Sequence, residues 1–141
     1  MGALSLPPPC EQGAEMKIEI KVIPARRQRY ATVGDWFFSL DGRTLKVRVS
    51  QMDRRSEIGV ILHELTEALL CEQAGITESM VDAFDLGFSG DGEPGDMPEA
   101  PYHEQHVLAT KVERLVVEAL GLSWEEHDQN VEEADAQRSK K

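Results

Sequence analysis

The segment Val60-Ile61-Leu62-His63-Glu64-Leu65-Thr66-Glu67-Ala68-Leu69-Leu70 places an imidazole and two carboxylates close together in an apolar stretch. Residues four apart on a helix differ by about 40° in direction, so His63 and Glu67 project from one face, a turn apart. Such a pair can reach a single cation at the roughly 2.0–2.2 Å typical of Zn–N and Zn–O bonds. Glu64 points about 100° away from His63. From there it can take a proton from a water held on the metal without binding the metal itself. Ile58, Val60, Ile61, Leu62, Leu65, Ala68, Leu69 and Leu70 surround the pair, and a polar group in such company needs a partner to offset its desolvation.

The chain has four histidines, and three of them fall in two places: His63, and the pair in Pro101-Tyr102-His103-Glu104-Gln105-His106. Three residues apart on a helix, His103 and His106 lie within about 60° of each other. Thr110 and Glu113 continue that face. Histidines at this spacing occur beside carboxylates in metal sites of helical proteins. The ligand set read here is His63, Glu67 and one of His103 or His106, with ligand types that suit zinc and leave Mn²⁺ or Mg²⁺ open. A fourth position left to water is the mark of a reactive site rather than a structural one. Asp82 and Asp85, three apart in Val81-Asp82-Ala83-Phe84-Asp85, are candidates to orient a ligand histidine through its second ring nitrogen. The competing reading makes them solvated helix groups. Trp36, Phe37, Phe38 and Trp124 read as core.

The elements that must position these residues follow from periodicity and turn chemistry. Met16 to Ile23 alternates apolar and charged residues, the pattern of a half-buried strand, and Pro24 stops it. Asp35 to Leu40 leads into Asp41-Gly42, a strong hairpin signal, and Thr44 to Ser50 alternates again. Ser56 reads as an N-cap for a helix from about Glu57 to Ala74, ended by Gly75. Thr77 caps a short helix from Glu78 to about Phe84, with Glu78 set against the helix dipole. The stretch from Leu86 to Pro101, with Gly87, Gly90, Gly92, Gly95, Pro94 and Pro98, reads as a long loop of the functional kind. A last helix runs from Tyr102 or His103 to Leu120, stopped by Gly121. The fold class is therefore α+β: a small antiparallel sheet, the motif-bearing helix, a short helix, a Gly/Pro loop and a C-terminal helix. It forms one domain over residues 16–124, preceded by a flexible extension (1–15) and followed by an acidic, disordered tail (125–141).

A chain of 141 residues holds one domain that needs no disulfide or metal merely to fold. Of its two cysteines, neither belongs to a CxxC pair; Cys71 reads as a small core residue and Cys10 as incidental. The net charge of −11 is unevenly spread. Residues 1–60 carry ten Lys/Arg and seven Asp/Glu, whereas residues 61–141 carry five and nineteen. That balance argues against nucleic-acid binding through phosphates. The cluster Arg26-Arg27-Gln28-Arg29 reads as a solvated turn. No apolar run approaches the roughly 20 residues that cross a bilayer, and the start of the chain is a poor secretory signal, so no membrane role and a cytoplasmic location are expected.

The order of parts resembles a minimal zincin-type metallopeptidase domain: a small sheet, a helix bearing His63-Glu64-x-x-Glu67, and a later helix supplying another ligand. The wording Leu62-His63-Glu64-Leu65-Thr66-Glu67-Ala68, with Val81 to Asp85 and Pro101 to His106, is also similar to short uncharacterised phage and prophage proteins, over most of residues 17–127. The zincin resemblance implies that His63 is a metal ligand and Glu64 the general base. It departs at Glu67, where the motif has its second histidine. A carboxylate there lowers the charge of the site and weakens the Lewis acid. The leading expectation is a zinc-type hydrolase attacking an amide or ester, with a peptide as the candidate substrate. In it the histidine that does not bind metal stabilises the oxyanion, and the Gly/Pro loop acts as a lid. A second reading is a non-catalytic acidic protein that binds a basic host protein. A third is a Mg²⁺-dependent nucleotide or phosphoester hydrolase, disfavoured by the lack of a Gly-rich phosphate loop.

Overall fold

A computed structural model describes residues 15–90 and 92–137. Among these residues are three strands, β1 (Lys17–Ile23), β2 (Gly34–Phe38) and β3 (Thr44–Ser50), followed by four α-helices. These are α1 (Arg54–Ala74), α2 (Glu78–Gly87), α3 (His103–Ala119) and α4 (Trp124–Gln137). The α+β class, with the helices following the strands, is as the sequence indicates. The N-terminal extension up to residue 14, with Cys10, lies outside the described residues.

The sheet order is β1-β3-β2. β2 and β3 form the antiparallel hairpin, in register from Gly34 opposite Val49 to Phe38 opposite Leu45. At its turn Gly42 takes a φ of 74°, a left-handed conformation that costs glycine little. β1, however, runs parallel to β3, from Lys17 opposite Thr44 to Ile23 opposite Ser50. The sheet is therefore mixed rather than wholly antiparallel. Alternation reveals which faces of a strand differ, but the pairing partner depends on the crossover, here through Pro24 and a turn at Ala25–Arg27. Leu45, Val47 and Val49 of the central strand are fully buried. α1 packs across β2 and β3, while Ile18, Ile20 and Val22 on β1 stay substantially exposed.

α1 begins earlier than expected. Asp53, not Ser56, is its N-cap, accepting from the Arg55 N–H at 2.9 Å. Ser56 is instead buried one turn into the helix. The far end is closed by Gly75 at φ 75°, as its position suggests. Thr77 caps α2 by accepting from Met80 N–H at 3.2 Å. Glu78 accepts the Phe38 N–H at 2.6 Å and so ties α2 to β2. α3 lies along α1, and Gly59 permits the approach: a Cβ there would stand 2.4 Å from Val117 Cγ1. The expected acidic tail is the largest departure. Residues 124–137 form α4, with His127 and Ala134 buried.

Candidate metal centre

Three side chains from two helices converge beneath the sheet edge. His63 Nε2 lies 3.2 Å from Glu67 Oε2, and His106 Nδ1 lies 2.9 Å from the same oxygen. A tetrahedral ion at zinc-like bond lengths holds its donors about 3.3 Å apart, so each histidine nitrogen already stands within a few tenths of an ångström of that spacing from the Glu67 oxygen. The pair on α1 meets as the four-residue interval requires. His106 reaches it from the first turn of α3 because that helix docks along α1.

Each of these side chains is also fixed at its far end. His63 Nδ1 lies 2.8 Å from Glu113 Oε1, so the ring donates there and Nε2 is the nitrogen turned toward Glu67. His106 Nε2 meets Asp96 Oδ1 at 3.1 Å and Glu93 Oε2 at 3.2 Å. The Trp36 indole N–H donates to Glu67 Oε1 at 3.0 Å. Carboxylates behind ligand histidines fix tautomer and ring orientation and raise ligand basicity. The whole set is buried: His63, Glu67, His106 and Glu113 are all within the core of the fold.

The charges respond accordingly. Burial works against the charged form of His106, but hydrogen bonds to Glu67 and Glu93 outweigh it and raise its pKa to about 10. His63 is likewise shifted upward: burial opposes the charge, and Glu113 and Glu67 overcome it. Burial pushes Glu67 and Glu113 up; hydrogen bonds from His106 and His63, and from His127 and His63, hold each at about 2. In this protonation state protons occupy the place a cation would take.

Glu64 differs from its neighbours. It is 7% exposed and stands 4.0 Å from His63 Nε2. It accepts no hydrogen bond from a described residue. Burial, then the charge on Glu67, push its pKa well above the usual carboxylate value. It lines a cavity of about 430 Å³, together with Gly34, His63, Glu67, Gly95 and His106. Two glycines press on this machinery. A Cβ on Gly34 would come 2.8 Å from Glu64 Cγ, and one on Gly95 would come 2.4 Å from His106 Cγ.

Of the two candidate histidines on α3, His106 joins the cluster. His103 does not: its Nδ1 bonds the Gly95 carbonyl at 2.9 Å. Asp82 lies 3.4 Å from the Arg29 guanidinium. Asp85 accepts from Tyr102 Oη and, at 3.4 Å, from Tyr30 Oη. Neither aspartate is bonded to His63 or His106; Glu113, Asp96 and Glu93 occupy that position instead. Trp36 is core as expected, at 4% exposure, but its indole also anchors Glu67. Cys71 is a fully buried core residue.

His127 escaped the sequence reading altogether. It is 1% exposed, and its Nε2 lies 2.5 Å from Glu113 Oε2. A signal was present: Trp124, His127, Val131 and Ala134 are spaced three, four and three apart, the stripe of a half-buried helix. The surrounding glutamates and aspartates masked it. Set against known proteins, the chain matches no family model, no curated protein and no solved structure.

Proposed function

We propose that the chain is a metal-dependent hydrolase, holding one zinc-type ion on His63, Glu67 and His106 and acting on an amide or ester bond. The observation that carries this reading is the convergence of three buried donors, each held at its far atom, beside the buried Glu64 carboxylate, which lines the same cavity. Among the described residues, both groups spaced to hold a metal include His106, and neither consists of carboxylates alone. That favours a borderline ion such as zinc over Mg²⁺.

Held there, a zinc-type ion would supply Lewis-acid chemistry, acidifying a water and polarising a carbonyl. The protein's own residues do the rest. Glu67 and the two histidines would hold the ion, each side chain kept in place by the partner at its far atom. Glu64 takes the proton of the attacking water and returns it to the leaving group. Its raised pKa belongs to the metal-free site; a divalent cation alongside restores the ionised form that a base needs. Gly92 to Gly95 line the cavity, and Gly95 packs against the His106 ring. Among the described lining residues there is no lysine or arginine, while Glu93, Asp128, Glu132 and Asp135 are exposed members of the lining. This supports a substrate with positive charge near the scissile bond.

The test is to incubate the zinc-loaded chain with a proteome-derived peptide pool and a set of simple esters, reading new termini and products by mass spectrometry. The wild type is expected to cleave. Glu64→Gln is expected to keep its zinc and lose activity by about 10²–10⁴-fold, the usual contribution of a general base. A Glu64→Gln variant as fast as wild type would refute Glu64 as the base, and a zinc-loaded wild type that yields no product from either pool would remove the hydrolase reading.

A further inference from the structure

α4 supplies none of the proposed metal ligands, yet it is connected to them by an unbroken line of hydrogen bonds. Asn130 Nδ2 donates to Ser56 Oγ at 3.0 Å, and Ser56 Oγ lies 2.9 Å from His127 Nδ1. His127 Nε2 faces Glu113 Oε2, and the other oxygen of that carboxylate takes His63 Nδ1 at 2.8 Å. The donors set a consistent direction. Asn130 fills one lone pair of the serine, the serine hydroxyl donates to His127 Nδ1, and His127 Nε2–H donates to Glu113. Every polar atom along the line then has a partner. The line crosses three helices: Ser56 and His63 on α1, Glu113 on α3, and His127 and Asn130 on α4.

A carboxylate orients a ligand histidine only as well as it is itself held. Glu113 has two oxygens and, for the second of them, His127 is the partner. Without it the carboxylate would keep one buried oxygen unmatched and be free to turn away from His63. We propose that His127, braced by Ser56 and Asn130, is a positioning residue of the metal centre: it fixes the Glu113 carboxylate that aims His63 Nε2 at the ion. Binding of the ion and docking of α4 then stabilise each other, because coupling between two equilibria is reciprocal. This rests on the metal reading above.

The test uses the full chain and zinc alone. Zinc affinity is measured by competition with a chromophoric chelator, and hydrogen exchange of residues 124–137 is followed with and without zinc. The wild type is expected to bind zinc and to show slower exchange in α4 when loaded. His127→Phe keeps a ring of similar size but loses both hydrogen bonds; its affinity is expected to fall roughly 10- to 100-fold, as for other partners of ligand histidines. His127→Gln, which can still donate to Glu113, should recover part of that loss. Ser56→Ala, which touches no ligand, should cost less than His127→Phe and weaken the zinc effect on α4 exchange. If His127→Phe fails to fold, His127→Gln and Ser56→Ala decide the matter, and wild-type affinity in both overturns the proposal. Unchanged affinity in a folded His127→Phe, with only its melting temperature lowered, makes His127 a packing residue and also overturns it. A wild type that takes up no zinc refutes the metal reading and the proposal together, an outcome distinct from the other two.

Discussion

Glu67 is the residue on which the site turns. One of its oxygens accepts the Trp36 indole, and the other faces both histidines. Histidine in its place would bring a third imidazole with no carboxylate to hold the other two. The metal-free cluster is thus an arrangement of shared protons, and its stability must follow pH in both directions. Glu67 and Glu113, held at about 2, contribute stability that is full above their ordinary value of 4.5 and is lost as pH falls through 2. His106, raised to about 10, contributes stability that is full below 6.5 and is lost as pH rises through 10. Chelator-stripped protein should therefore be most stable to urea between about pH 4.5 and 6.5 from these groups. With zinc present the alkaline loss should disappear, since the ion replaces those protons; equal slopes with and without zinc above pH 6.5 would contradict this. At this scale the sequence showed His63 and Glu67 plainly, because a four-residue interval in an apolar helix leaves little choice. It left His103 and His106 tied, because both begin α3 and only the docking of that helix decides which turns inward.

α1 inverts the usual amphipathic pattern. Its buried residues include Ser56, Glu57, His63, Glu64 and Glu67, whereas Ile58, Ile61, Leu65 and Leu69 are only partly buried. Local patterning rules fail where a site must be built, and here the polar residues form the seam between α1, α3 and α4. The loop before α3 is fitted to this seam at Gly95, where any Cβ would meet the root of the His106 ring rather than a movable side-chain tip. Gly95→Ala is accordingly expected to turn His106 out of the cluster and to lower zinc affinity by at least the roughly 10-fold that lost orientation costs. Gly87→Ala, whose added Cβ meets nothing within 4 Å, is the control expected to bind as wild type. Chelator competition on the two variants checks this, and equal affinities would show that the loop does not shape the site. The sequence marked this loop as functional from its length and its glycines. The parallel course of β1 and the helical fate of residues 124–137 were hidden, the first because strand alternation says nothing of partners. The second was hidden because acidic composition outweighed the stripe of Trp124, His127, Val131 and Ala134.

Across the whole molecule, a net charge of −11 surrounds a cavity whose described lining has no lysine or arginine. A negative field of that kind draws cations inward, whether a metal ion or a basic substrate. Among the described residues, no helix is long and apolar enough to cross a membrane. The chain has apolar strands and helices enough for a core of its own, so the buried histidines and glutamates are not required simply to make it fold. They cost desolvation that hydrophobic residues would avoid, and the proposed ion would give that cost a purpose. The most direct test is the metal content of the purified full chain, prepared without a metal-binding tag and read by elemental mass spectrometry, for the wild type and for His63→Ala. Near-stoichiometric zinc in the wild type and its loss in His63→Ala is the result expected. A wild type that carries no metal, and takes up none when zinc or manganese is added, would contradict the account at its centre.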